Sequence, residues 1–286
     1  MQKQDSGGPS SSGIAAVIFD WAGTIVDFGC FAPTVSIVET FAQHGVEITL
    51  AEARGPMGLE KRQHIRTLLA DNSISGRWKT ATGADPRPED AESLYEELEP
   101  RLASTVRRYS GLVPGAKELV DELRARGVGI GSTTGYLRSL MDILATEAEL
   151  QGLSVDAVIC PSDVPAGRPY PWMCFLNAIR LSAFPPWRLV KIGDTPVDMQ
   201  EGINAGAWTI GVTASGNEVG LSQSELEELR PEDRARRVQE AGKRLQTAGA
   251  HYVAESVGHC REILVRIEAR IMRGEQPSRE EPNDPE

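Results

Sequence analysis

Three apolar runs in this chain stop at residues that can do chemistry. Ala15-Ala16-Val17-Ile18-Phe19 ends at Asp20, followed by Trp21-Ala22-Gly23-Thr24. Val128-Gly129-Ile130-Gly131-Ser132 ends at Thr133-Thr134-Gly135-Tyr136, and Leu189-Val190-Lys191-Ile192-Gly193 ends at Asp194, with Asp198 four residues on. Such runs read as strands of a parallel sheet, buried on both faces. If they are neighbours, their ends converge at the carboxyl edge of the sheet, where open α/β folds bind ligands. An aspartate there, followed by a tight loop whose N–H groups can turn inward, suits a nucleophile or metal ligand working on a phosphoryl group. Three carboxylates gathered beside a hydroxyl repel one another unless a cation sits among them. A hard divalent ion with oxygen ligands is therefore expected, and Mg²⁺ fits best, since it takes one or two carboxylates and keeps its other positions for water and phosphate.

The elements that must position these groups follow from periodicity. From Gly111 onward, helices alternate with short apolar runs, the signature of βαβ units. Helices are predicted over 115–126, over 137–150 and after Trp172, with further strands at Ala157-Val158-Ile159-Cys160, at Trp208-Thr209-Ile210-Gly211-Val212 and at Tyr252-Val253-Ala254. Between Cys30 and Tyr109 no strand signal appears. A first helix there should bury Val35, Val38, Phe41 and Ala42, a second should run from Leu59 to Ala70, and a third carries Leu94, Leu98, Leu102 and Val106, kinked or divided by Pro100. The fold class expected is a Rossmann-like parallel α/β core, residues 14–29 and 110–273, interrupted by a helical cap at 30–109, with disordered tails at 1–13 and 274–286.

Composition narrows the partners. The chain has 286 residues, 40% of them hydrophobic and 25% charged, and a net charge of -11. That charge argues against nucleic acid and anionic membranes, so an anionic substrate needs a local positive pocket. Cys30, Cys160, Cys174 and Cys260 form neither a CxxC pair nor a metal-ligand spacing, and no secretory or membrane-spanning apolar run is present, which makes a reducing cytoplasm the expected compartment.

Phe19-Asp20-Trp21-Ala22-Gly23-Thr24, the Thr133/Thr134 strand end, Arg168 in Ala166-Gly167-Arg168-Pro169, and Gly193-Asp194-Thr195-Pro196-Val197-Asp198 resemble, in order, the four motifs of the haloacid dehalogenase superfamily. The resemblance implies that Asp20 attacks phosphorus, that Thr133 or Thr134 with Gly135 and Arg168 holds the phosphoryl oxygens, and that Asp20, Ala22, Asp194 and Asp198 surround Mg²⁺. Two departures stand out. Phosphatases of the superfamily carry a second Asp two residues after the nucleophile, as proton donor to the leaving group, and here that position is Ala22. Their usual basic residue is Lys, and Arg168 supplies a planar fork instead.

Phe28-Gly29-Cys30-Phe31-Ala32-Pro33, Pro56-Met57-Gly58-Leu59 and Arg168-Pro169-Tyr170-Pro171-Trp172-Met173 add a closer resemblance, to the phosphonoacetaldehyde hydrolases, or phosphonatases. In that family a cap lysine forms a Schiff base with the substrate aldehyde, and the matching residue is Lys61. The chemistry is consistent: cleaving P–C expels a carbanion, and an iminium next to it accepts those electrons as an enamine. Lys61 must then be neutral to condense, which burial favours. His64, three residues on, is placed to move protons. Met57, Cys30 and Tyr136 are candidate pocket residues, each equally suited to packing. The resemblance implies phosphonoacetaldehyde as substrate, acetaldehyde and phosphate as products, 2-aminoethylphosphonate degradation as the setting and a homodimer as the assembly. The alternatives are a phosphatase or phosphomutase of the superfamily, against which Ala22 and Lys61 count, and a receiver-like module phosphorylated on Asp20, against which the large helical insertion counts.

Overall fold

The computed structural model describes residues 13–278. Six strands, β1 (Ala16–Phe19), β2 (Gly129–Thr133), β3 (Ala157–Ile159), β4 (Leu189–Gly193), β5 (Trp208–Val212) and β6 (Tyr252–Ala254), form one sheet in the order β3-β2-β1-β4-β5-β6. Every neighbouring pair is parallel. The strands predicted from apolar runs are these strands, and β1, β4 and β5 are buried at every residue, as continuous apolar strands of a sheet covered on both faces should be. The chain order reverses at β1, which lies between β2 and β4. Asp20 follows β1 directly, so the residue with the most chemical promise stands at the topological switch point.

The first five helices after β1 are α1 (Phe31–Gln43), α2 (Leu50–Arg54), α3 (Lys61–Ala70), α4 (Asn72–Thr82) and α5 (Pro88–Arg108). Asp27 caps α1, accepting from the backbone N–H of Phe31 at 2.9 Å and of Ala32 at 2.8 Å. The buried face of α1 is not the one expected. Ile37 and Phe41 are buried with Ser36 and Thr40, whereas Val35 and Val38 are half-buried and Ala42 is exposed. The hydroxyls of Ser36 and Thr40 donate back to Ala32 O and Ser36 O, each at 2.8 Å, so they enter the interior already satisfied. Helix α3 starts at Lys61 rather than Leu59, because the Glu60 carboxylate caps it by accepting from Arg62 N and Gln63 N. Helices α2 and α4 were not anticipated. Helix α5 buries Leu94, Leu98, Leu102 and Val106 as expected and packs on α1 and α3, but Pro100 sits within it without dividing it.

Helices α6 (Ala116–Ala125), α7 (Arg138–Leu150), α8 (Trp172–Arg180), α9 (Pro196–Asn204), α10 (Gln223–Glu228), α11 (Pro231–Thr247) and α12 (Cys260–Met272) complete the chain. No helix among the described residues is long and apolar enough to cross a membrane. Of the two tails expected to be disordered, residues 1–12 and 279–286 lie outside the described residues. The described parts are held: Gly13 O accepts from Arg188 Nε at 2.6 Å, and Glu275 pairs with Arg270 at 2.6 Å and Arg273 at 2.7 Å.

Candidate active site

A small cavity, about 20 Å³, lies between the strand ends and the helical insertion. The sheet side contributes Asp20, Ala22, Thr134, Gly135, Tyr136, Arg168, Asp194 and Thr195, and the helical side contributes Cys30, Pro33, Met57, Gly58 and Lys61. The two sides meet at backbone distance. A Cβ on Gly58 would lie 2.3 Å from Val197 Cγ2 and 2.5 Å from Thr195 Oγ1, and one on Gly135 would lie 2.6 Å from Leu59 O.

Asp20 is buried, which pushes its carboxyl up from the usual range, while the Arg168 guanidinium pulls it down. Arg168 Nη2 donates to Asp20 Oδ1 at 2.6 Å. Carboxylate oxygens of Asp20, Asp194 and Asp198 fall within 4.8 Å of one another. Burial, followed by repulsion from Asp20 and Asp198, pushes the Asp194 carboxyl well above its usual value. Its Oδ2 accepts from Asn217 N at 2.7 Å. Asp198 differs: burial opposes its charge, yet Arg168 and Lys191 outweigh that and hold its carboxyl below the usual range. Its Oδ1 faces Lys191 Nζ at 2.9 Å and Arg168 Nη1 at 3.0 Å, and its Oδ2 takes the Thr195 hydroxyl. Asp198 therefore belongs to the acidic cluster by distance but spends both oxygens on protein donors.

Among the described residues, four buried carboxylates, Asp20, Asp194, Asp198 and Glu201, stand with two directly paired cations, Arg168 and Lys191, and with the buried Lys61 across the cavity. The excess of carboxylates and the all-oxygen donor set fit a divalent cation at Asp20, Asp194 and Asp198.

Lys61 opens α3 and is 3% exposed. Its Nζ lies 3.8 Å from Met57 Sδ and 5.2 Å from the centroid of the Tyr136 ring. Burial lowers its pKa, against the pull of Cys30 and Asp20. An amine in apolar and thioether surroundings is a potential nucleophile toward a carbonyl.

Two expected site residues are elsewhere. Thr133 ends β2 with its hydroxyl turned to Glu201, Arg168 and Lys191 and does not line the cavity; Thr134 does, with Oγ1 accepting from Tyr136 N at 3.0 Å. Asp198 stands in the acidic cluster as expected, paired with Arg168 and Lys191. His64 is fully buried but outside the cavity wall, its Nε2–H donating to Ala53 O at 2.9 Å. Burial, then the nearby Lys61 charge, drives its pKa down to about 3. Lys191 and Glu201 were missed, although a lysine inside the apolar run of β4 requires a buried counter-charge and Glu201 follows Asp198 at helical spacing.

Residues 14–206 match the family model described as haloacid dehalogenase-like hydrolase. The chain belongs to the haloacid dehalogenase-like hydrolases. Among curated relatives, this haloacid dehalogenase-like hydrolase is 48% identical over 264 residues to the phosphonoacetaldehyde hydrolase of Nitratidesulfovibrio vulgaris, covering 92% of this chain and 94% of that one. It is 47% identical over 255 residues to the phosphonoacetaldehyde hydrolase of Bacillus mycoides, covering 89% and 97%. The crystal structure of a phosphonoacetaldehyde hydrolase-like protein from Oleispira antarctica superposes with a TM-score of 0.91 at 37% identity, over 96% of this chain and all of that one.

Proposed function

We propose that this hydrolase cleaves the P–C bond of phosphonoacetaldehyde to acetaldehyde and phosphate, in the degradation of 2-aminoethylphosphonate. One observation carries the reading: a buried lysine shares the cavity with the aspartate at the switch point, and no carboxylate stands at position 22. A phosphatase would need that missing acid; a phosphonatase needs the lysine. The names of the relatives agree. In this reading the helices of residues 30–109 form a cap over the core of residues 14–29 and 110–273.

The neutral Lys61 amine adds to the substrate aldehyde, and the adduct takes up a proton and loses water to give an iminium. Burial lowers its pKa toward the range where that amine is available, and it is oriented by its weak hydrogen bond to Met57 Sδ and by the Tyr136 ring. Asp20 then attacks phosphorus. The P–C bond breaks, its electron pair moves into the iminium as an enamine, and the phosphoryl group stays on Asp20 as an acyl phosphate. Arg168 and Thr134 hold the equatorial oxygens. Protonation of the enamine carbon and addition of water release acetaldehyde from Lys61, and a second water frees phosphate and restores Asp20. Asp20, Asp194 and Asp198, with Ala22 beside them, would hold Mg²⁺, which would supply neutralisation of the gathered negative charge. Asp198 also fixes Arg168 and Lys191. His64, neutral and directed at Ala53 O, supports the first turns of α3 rather than meeting substrate. The assembly is read as a homodimer in the cytoplasm.

Phosphate release from phosphonoacetaldehyde, set against a panel of phosphate monoesters, tests the proposal. Preference for any monoester would replace it with the phosphatase reading.

A further inference from the structure

Beneath the cavity floor lies a buried polar cluster that the reaction as written does not use. Lys191 sits mid-strand in β4 with no exposure, donates to Thr133 Oγ1 at 2.7 Å and forms ion pairs with Asp198 Oδ1 at 2.9 Å and Glu201 Oε2 at 3.3 Å. Glu201, equally buried on α9, takes on the same oxygen the Arg168 Nε–H at 3.0 Å and the Thr133 hydroxyl at 2.9 Å. Thr133 Oγ1 in turn accepts from Arg168 Nη2 at 2.8 Å. Since β2 and β4 flank β1 on its two sides, this cluster spans the strand that delivers Asp20.

From this arrangement we infer that Lys191 and Glu201 are positioning residues for phosphoryl transfer, holding the guanidinium plane of Arg168 so that its outer edge faces Asp20 and the phosphoryl oxygens. Arg168 lies on a loop, outside any helix or strand, and its side chain has several rotatable bonds. Alone it would sample many orientations. Glu201 fixes the inner Nε–H, Thr133 and Asp198 fix one donor on each outer nitrogen, and the remaining donors face Asp20 and the cavity. Lys191 makes this possible in two ways. It orients the Thr133 hydroxyl toward Glu201 by occupying one lone pair, and it supplies the positive charge without which Glu201 and Asp198 would pull the guanidinium away from Asp20. A preorganised clamp of this type strengthens transition-state stabilisation because nothing need reorient as charge moves.

The inference rests on the proposed hydrolysis for its kinetic arm only. Glu201→Gln, Lys191→Met and the charge-balanced double variant are compared with wild type in Mg²⁺. Turnover of phosphonoacetaldehyde should fall about 10- to 100-fold, the scale of lost supporting shells, and the dissociation constant of inorganic phosphate should rise by a similar factor. Labelling of Lys61 by acetaldehyde and borohydride, which needs no phosphoryl clamp, should stay at the wild-type level. In an Arg168→Lys background, where no Nε–H exists to be fixed, adding Glu201→Gln should cost less than about 3-fold. Unchanged turnover and phosphate affinity overturn the inference. So does loss of labelling in step with turnover in all three variants, the double variant included, because that pattern assigns the cluster a purely structural role. Absence of labelling in wild type would instead sink the proposed function, and weakened phosphate binding in the variants would still support the positioning role.

Discussion

Arg168 and Asp20 are joined by a 2.6 Å hydrogen bond although 148 positions separate them in the chain. The pair solves a conflict inherent in the site. Burial drives the Asp20 carboxyl upward, toward a neutral form that cannot act as a nucleophile, and the guanidinium within contact pulls the other way.

Asp20→Asn should therefore abolish turnover, by about 10⁴-fold or more, since an amide cannot form the acyl phosphate. The fold should persist, because Asn retains an oxygen for Arg168. Phosphate release by a sample whose mass verifies the substitution is the check; wild-type-like release would remove the aspartyl-phosphate route.

Chelation should stop the reaction and Mg²⁺ should restore it, with Ca²⁺ a poor substitute because its bonds are longer by roughly 0.3 to 0.5 Å. Stability gives a second reading. Mg²⁺ at about 100 times its dissociation constant should stabilise wild type by about 2.7 kcal/mol. Asp194→Asn should raise the melting temperature of the metal-free protein, since the Asp194 charge is opposed by burial and by two neighbouring carboxylates, and should abolish the Mg²⁺ response. Calorimetry with and without metal decides; an unstable metal-free Asp194→Asn would contradict the charge argument.

Borohydride added during turnover should fix the substrate carbon to Lys61 as a secondary amine. Lys61→Arg should block both labelling and catalysis, because guanidinium stays protonated and cannot condense with an aldehyde. Mass spectrometry locates the adduct. A label on another lysine, or retained turnover in Lys61→Arg, would transfer the role elsewhere.

The pH dependence should divide between two residues. Rates of imine formation should rise with pH through the lowered pKa of Lys61, because only the neutral amine condenses. His64 should appear in stability instead. Its folded pKa is about 3, against about 6.5 in an unfolded chain. Between those values the unfolded chain takes up a proton that the folded one refuses, so His64's contribution is complete above about pH 6.5 and is lost as pH falls toward the folded value, with a slope of up to about 1.4 kcal/mol per pH unit. Urea titrations across this range should show a shallower acid limb for His64→Gln than for wild type. Identical limbs would mean that His64 titrates normally.

The strands and the carboxylates at their ends were legible because a fully buried parallel strand is apolar throughout and stops abruptly. Lys61 was not legible from its own surroundings: Glu60-Lys61-Arg62-Gln63 reads as a solvated helix start, and only the resemblance singled it out. The choice between Thr133 and Thr134 turned on a strand end that must be known to one residue, since one step along a strand reverses the side chain. The buried face of α1 was misread because Ser36 and Thr40 carry polar atoms whose bonding within the helix sequence alone does not reveal. Lys191 did leave a mark, as the one charge within the β4 run, and its meaning depended on Glu201 from another element.

The seam at Gly58 and Gly135 bears on how this scaffold can be altered. Any added side chain at either position would act as a wedge and hold the chamber ajar, admitting bulk water that would hydrolyse the proposed iminium before phosphoryl transfer. Retargeting toward other carbonyl phosphonates therefore has little freedom along the seam. Its latitude lies in Cys30, Pro33 and Met57, whose side chains shape the chamber wall. A library confined to those three should yield new substrate preferences while keeping the seal, whereas one that includes the glycines should collect mainly leaky catalysts.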